Sequence, residues 1–343
     1  AAQTNGAFEA AVRNYESAAR LDETYADLHF QWGACCLALG QTNEAKTHLT
    51  LARDLDTLRF RTDSRHNESI RQTVARHAGR GVRLLDAEKQ FDRESKHGMP
   101  GEELLYEHVH FTFEGNYLLA RLFAEEVAAI LPSRAAPRSQ PPAAWLAPEE
   151  CAARLGYTDS QRYEIAKVVR RRFDEPIYRH QLGHAERLEK LDAELASLRG
   201  HSKPVARRRA MDICRQATAS NPGDWMLHEL TARLLVGLDD YSAAEAEWRE
   251  VARLIPHAAR PHNEIGKLLQ QQGRNDQARA SFAKALELNP DSADAHIGLG
   301  NLDRAQGARS KAISHFRQAL HLDPTRAETA KDLETLLQSE ARP

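Results

Sequence analysis

The sequence predicts a predominantly α protein: helix pairs stacked into an α-α superhelical solenoid, with a small α/β-like segment (one strand plus helices) between two repeat regions. Three observations predict it. Glycine and proline number only 18 and 14 in 343 residues, and the stretches between them are rich in Ala, Leu, Arg and Glu, all good helix formers. Pro222, Pro256, Pro290 and Pro324 recur every 34 residues. Before the last three runs a matching series: Ala244, Trp248, Val251, Leu254; Ala278, Phe282, Ala285, Leu288; Ala312, Phe316, Ala319, Leu322. Its spacing of four, three and three is one face of a helix. One such unit cannot bury its apolar face alone, so copies must stack.

Composition narrows the function classes. Charged residues make up 28% and apolar ones 41%, which suits a folded chain rather than a disordered one. Forty-seven basic against 49 acidic residues leave a formal charge of −2, so no whole-chain basic field exists to hold a phosphate backbone, and no nucleic-acid partner is expected. No run of about 18 apolar residues occurs, and the first residues lack a signal pattern. No membrane span is therefore expected, and a cytoplasmic setting is favoured. Cys35, Cys36, Cys151 and Cys214 show no paired-ligand spacing and read as free, packed thiols. No metal and no cofactor are expected.

In chain order, residues 1–57 come first. Trp32, Gly33, Gly40, Ala45, Leu49, Ala52 and Leu55 fit one full unit over about 26–57, and Gly6, Phe8, Ala11, Tyr15, Ala18 and Leu21 fit the latter part of another. An array that opens in mid-unit leaves a face without a neighbour, so further chain is expected before Ala1.

Residues 58–132 break the period. They read as a helix at 64–79, a buried strand from Gly81 to Asp86, a helix at 87–95, and an amphipathic helix from about Gly115 to Leu131. A lone strand cannot satisfy its own backbone, so its sheet would have to come from outside this chain. Glu107, Val109 and His110, followed by Gly115 and a final helix, resemble the C-terminal block of the GDSL/SGNH hydrolases, over about 75 of the 343 residues. That resemblance implies His110 as the general base for a serine nucleophile and Glu107 as the acid orienting its imidazole. Glu stands where that family has Asp, and the serine block would lie upstream of Ala1. The competing readings are a surface loop and an H-x-H metal pair made by His108 and His110.

Residues 133–147 form a Pro-rich linker, and 148–202 a helical connector, with Pro148 at a first turn and a helix over about 159–173. The triplets Arg170–Arg172 and Arg207–Arg209 are either solvated helix faces or basic docking patches.

Residues 203–340 hold the clean array and a cap helix. Gly266 and Gly300 sit where two helices approach closely, Gly273 and Gly307 follow seven residues later at a turn, and each second helix stops before a proline. Residues 223–324 resemble the tetratricopeptide repeat. Ala210, Cys214 and Ala217 supply an earlier second helix in register, while the helix before it, roughly 184–199, lacks the signature. Ala327 to Ser339 reads as the cap, with Glu334 in place of the close-packing glycine.

The resemblance implies a scaffold that binds a protein or peptide, acidic or extended, in a groove lined by the first helix of each unit. Its exposed positions would include Met226, Glu229, Arg233, Arg260, Asn263, Lys267, Gln270, Asn301 and Arg304. The Lys/Asn clamp for a C-terminal carboxylate is not reproduced, because Glu229 stands at its first Lys position. The alternative is a fragment of an SGNH-like esterase with inserted repeats.

Overall fold

The computed structural model describes residues 6–57, 62–107, 109–131, 145–179 and 183–338, which divide into two compact units, residues 1–148 and 149–343. Among the described residues every regular element is helical apart from one isolated bridge. The α-α solenoid is the architecture found.

The first unit starts with α1 (Phe8–Ala19), α2 (Ala26–Ala38) and α3 (Thr42–Leu55). Gly33 lets α2 lie against α3, since a Cβ there would meet Leu49 Cγ at 2.7 Å. Ala45, Cys35 and Cys36 are buried in that seam. Next come α4 (Ser64–Arg76), α5 (Ala87–Glu94) and α6 (Phe113–Ile130), with Phe91, Leu104, Leu118 and Leu122 forming a second small core. Polar ties join α3, α4 and α5: Arg53 bonds Glu88 at 2.8 Å, and Arg71 bonds Asp86 at 2.7 Å and Glu88 at 2.6 Å.

Two expectations for this unit are corrected. Gly81 to Asp86 form no strand: Gly81 takes a left-handed φ, Val82 is exposed, and Asp86 instead accepts from the Lys89 N–H to cap α5. The helix expected at 64–79 stops at Arg76, before Gly79 and Gly81, both at left-handed φ. The Pro-rich linker falls largely outside the described residues.

The second unit opens with α7 (Pro148–Arg154), α8 (Asp159–Phe173), α9 (Pro176–Arg179) and α10 (His184–Leu198), followed by a 3-10 turn at Arg199–Ser202. Then come α11 (Pro204–Ser220), the pairs α12 (Trp225–Val236) with α13 (Tyr241–Leu254), α14 (Ala259–Gln271) with α15 (Asn275–Leu288), and α16 (Ala293–Ala305) with α17 (Arg309–Leu322), and finally α18 (Ala327–Gln338). The signature residues do what their spacing implies. Ala244, Ala278, Ala312, Phe282 and Phe316 are wholly buried and Trp248 is 3% exposed. The Phe282 ring lies between Gly266 of its own pair and Gly298 of the next, where added Cβ atoms would come within 2.6 and 2.3 Å. Gly273 and Gly307 take positive φ at the turn inside each pair, and Asp239 takes φ 60° at the same register of the first pair.

Candidate peptide-binding groove

The 34-residue period places equivalent side chains of α12, α14 and α16 in rows: Met226, Arg260 and Asp294; Glu229, Asn263 and Ile297; Arg233, Lys267 and Asn301; Val236, Gln270 and Arg304. Met226, Arg233, Arg260, Lys267 and Arg304 are exposed, and Gln270 and Asn301 are half-buried. Glu229 and Asn263 are corrections to the expected exposed row: they are 9% and 5% exposed. That row is the deepest of the four, and its side chains are held from within. Glu229 takes Arg260 in a two-pronged bond at 2.8 and 3.0 Å and Arg233 at 2.6 Å. Asn263 donates to the Ser292 hydroxyl at 2.9 Å, while its Oδ1 is buried without a hydrogen-bond partner.

The acidic side chains were missed by a reading that looked for cations. Lys267 pairs with Glu264 at 2.8 Å and approaches Asp294 at 3.7 Å. Arg326 reaches Asp294 at 3.2 Å, and Arg304 bonds Asp332 at 2.6 Å. Arg260 also stands over the Trp248 ring, 5.6 Å from its centroid. The face therefore carries cations fixed by carboxylates. At Glu229 one carboxylate faces two guanidinium groups, which leaves an excess positive charge there.

A second feature escaped the sequence reading. His29, His228, His262 and His296 occupy the same register of four first helices. Nineteen residues on, a second-helix side chain meets three of them. His29 and His48 face each other Nδ1 to Nδ1 at 3.0 Å, His296 and His315 at 3.1 Å, and His228 Nδ1 bonds Glu247 at 2.7 Å. The other ring nitrogen of His29 and His228 meets the carbonyl six residues back. Burial pushes His48, His296 and His315 below the usual imidazole range. A search of the sequence for a 19-residue offset would have found the pattern.

Glu107 and His110 do meet. The loop from Leu104 to Thr112 closes on itself, with Tyr106 N–H donating to His110 O at 2.8 Å and Thr112 N–H to Leu104 O at 2.9 Å. His110 Nδ1 bonds the Glu107 carboxylate, whose side chain is buried. Described serines upstream of His110 are engaged elsewhere: Ser95, the nearest in sequence, donates to Phe91 O at 2.7 Å, Ser69 donates to Arg65 O at 2.8 Å, and Ser64 receives a bond from Arg53 at 2.5 Å. A three-residue loop contact orients the ring, and by itself it supplies neither nucleophile nor oxyanion donors. His108, the other member of the metal pair, lies outside the described residues. Among the described residues, no group of three or more His, Cys, Asp or Glu side chains could hold a metal ion.

Comparison with known proteins bears on the array. Residues 263–327 match the tetratricopeptide repeat family model. Among solved structures, PilF of Pseudomonas aeruginosa is 22% identical with a TM-score of 0.37, over 41% of this chain and 65% of its own. TTC0263 of Thermus thermophilus, a thermophilic repeat protein, is 20% identical with a TM-score of 0.37, over 55% and 99%. YrrB, described as a repeat protein with an unusual peptide-binding site, is 16% identical with a TM-score of 0.37, over 55% and 91%. No curated protein matches the chain. The hydrolase reading of residues 58–132 has no support from any of these comparisons. Among the described residues, no helix is long and apolar enough to cross a membrane.

Proposed function

We propose that the chain is a binding scaffold whose tetratricopeptide repeats hold an extended, acidic peptide of a partner protein along α12, α14 and α16. The observation that carries this reading is the pair Arg233 and Arg260, both exposed and both anchored on the buried Glu229. Two cations on one buried carboxylate are pre-oriented and only half neutralised, so a carboxylate arriving from a ligand completes the charge without first ordering the side chains. Lys267, Gln270, Asn301 and Arg304 continue the same face at the repeat spacing, as an extended ligand with contacts every few residues requires. The counter-charges Asp294 and Asp332 favour a ligand that mixes acidic with polar residues over a run of acids.

The test is a binding measurement with an arrayed set of short synthetic peptides of graded acidity. Acidic members should bind, Arg260→Ala combined with Lys267→Ala should weaken them at least tenfold, and added salt should do likewise. Equal binding by the doubly substituted chain would overturn the assignment of this face.

A further inference from the structure

Helix α11 stands in the second-helix register of a unit whose first helix is missing. Ala210, Cys214 and Ala217 are buried, as the matching Ala244, Trp248 and Val251 are in the next pair. In the complete pairs the preceding helix runs along this one. Here α10 packs on α8 instead, and α11 rests on α12, the 3-10 turn and α8. The first turn of α8 is tied to the 3-10 turn, with the Ser160 hydroxyl donating to His201 O at 2.8 Å, and Gly156, just before α8, packs on Cys214 of α11. Beside that crossing lies an open cavity of about 550 Å³.

Its floor is one face of α11. Val205 and Ile213 are 63% and 37% exposed, with Ala206 and Ala210 between them. At about 1.5 Å per residue this face runs for roughly two helical turns. Lys203 and Arg209 stand on the rim, and neither makes a side-chain hydrogen bond or ion pair among the described residues. The rim carboxylate, Asp159, is already engaged by Arg162 at 3.1 Å and His201 at 3.3 Å. Apolar floor and uncompensated positive rim together describe one complement.

We propose that this cavity receives an amphipathic, acidic helix of a partner protein in the place of the absent first helix. Its apolar side chains rest on Val205 and Ile213, and its carboxylates meet Lys203 and Arg209. The cavity is open and is lined along α11 from Val205 to Ile213, which suits a helix laid beside it, and its positive rim selects acidic flanks on that helix. This site uses α11 and the start of α8, and none of the side chains assigned to the groove of α12, α14 and α16.

The probe is a phage-displayed library of random 16-residue peptides selected on the full chain. Enriched sequences should carry Leu, Ile or Phe at helical spacing with Asp or Glu beside them. Synthetic copies should bind at least tenfold more weakly to Lys203→Glu/Arg209→Glu and to Ile213→Asp, and undiminished to Arg233→Ala/Lys267→Ala. Lys203 and Arg209 are exposed, so the first variant should keep its far-ultraviolet dichroism and melting temperature, and it carries the test if Ile213→Asp fails to fold. The proposal is overturned if no acidic amphipathic peptide is enriched, or if those enriched ignore the changes on α11. It is equally overturned if they are lost with the groove variant, or if the α11 changes affect only binding to phosphatidylglycerol vesicles.

Discussion

Trp248, Phe282 and Gly298 show what a single position carries in this fold. Trp248→Ala is expected to cost about 3–5 kcal/mol in chemical denaturation, the usual range for emptying a buried aromatic site. Gly298→Ala should cost roughly 1–3 kcal/mol for the opposite reason, because the added methyl falls 2.3 Å from a ring that has no free space to enter. The His296–His315 contact makes a pH prediction. Two Nδ1 atoms at 3.1 Å can share one proton but not hold two. Asp303, 3.7 Å from His315, is itself engaged by Arg279 at 2.7 Å. Both histidines lie below their ordinary range in the folded state. The unfolded chain therefore binds more protons below about pH 6.5, and stability should fall as pH drops through that region. Denaturation midpoints at pH 7.5 and 5.5 would measure it, and His296→Gln/His315→Gln should reduce the difference, leaving the part that His48 and His262 contribute.

At the scale of the element, Ser292 joins two jobs. Its hydroxyl caps α16 by accepting from Ala295 N–H at 3.2 Å, and it accepts the Asn263 amide of α14 at 2.9 Å. Ser292→Ala should cost roughly 1–3 kcal/mol, a lost cap together with a buried amide left without an acceptor. Serine before an alanine reads in sequence as an ordinary cap; its cross-helix bond does not show there. The same limit explains where the sequence was and was not legible. Helices of the array were readable because proline stops and a 3.6-residue face agree from Trp225 to Leu322, joined by turn glycines from the second pair on. Residues 82–86 misled because a short apolar run has no period, and Leu84 and Leu85 are half-buried without any strand partner. In the groove, periodicity told which face Glu229 and Asn263 lie on but not how deep they sit, since depth depends on Arg260 and Ser292 reaching them from neighbouring helices. The histidine pairs were invisible to a search for catalytic or metal-ligand spacing, because their offset links two helices of one unit.

For the chain as a whole, the expectation is binding without turnover. Purified protein should not hydrolyse an aryl acetate above a buffer blank, and His110→Ala should change nothing, because Ser64, Ser69 and Ser95 are each bonded to other groups. Turnover abolished by that substitution would reverse the reading. The position of Phe282 between two glycines has a further consequence, for how such a chain could lengthen by duplication. A second copy of residues 290–323, inserted after Asp323, would set Gly298 of the copy beside Phe316, and a proline would follow the acid as Pro324 does now. A copy of residues 256–289 inserted after Asn289 would instead bring Glu264 to the place of Gly298, against a ring with no room for a Cβ. The array can grow at one joint and is closed to growth at the other.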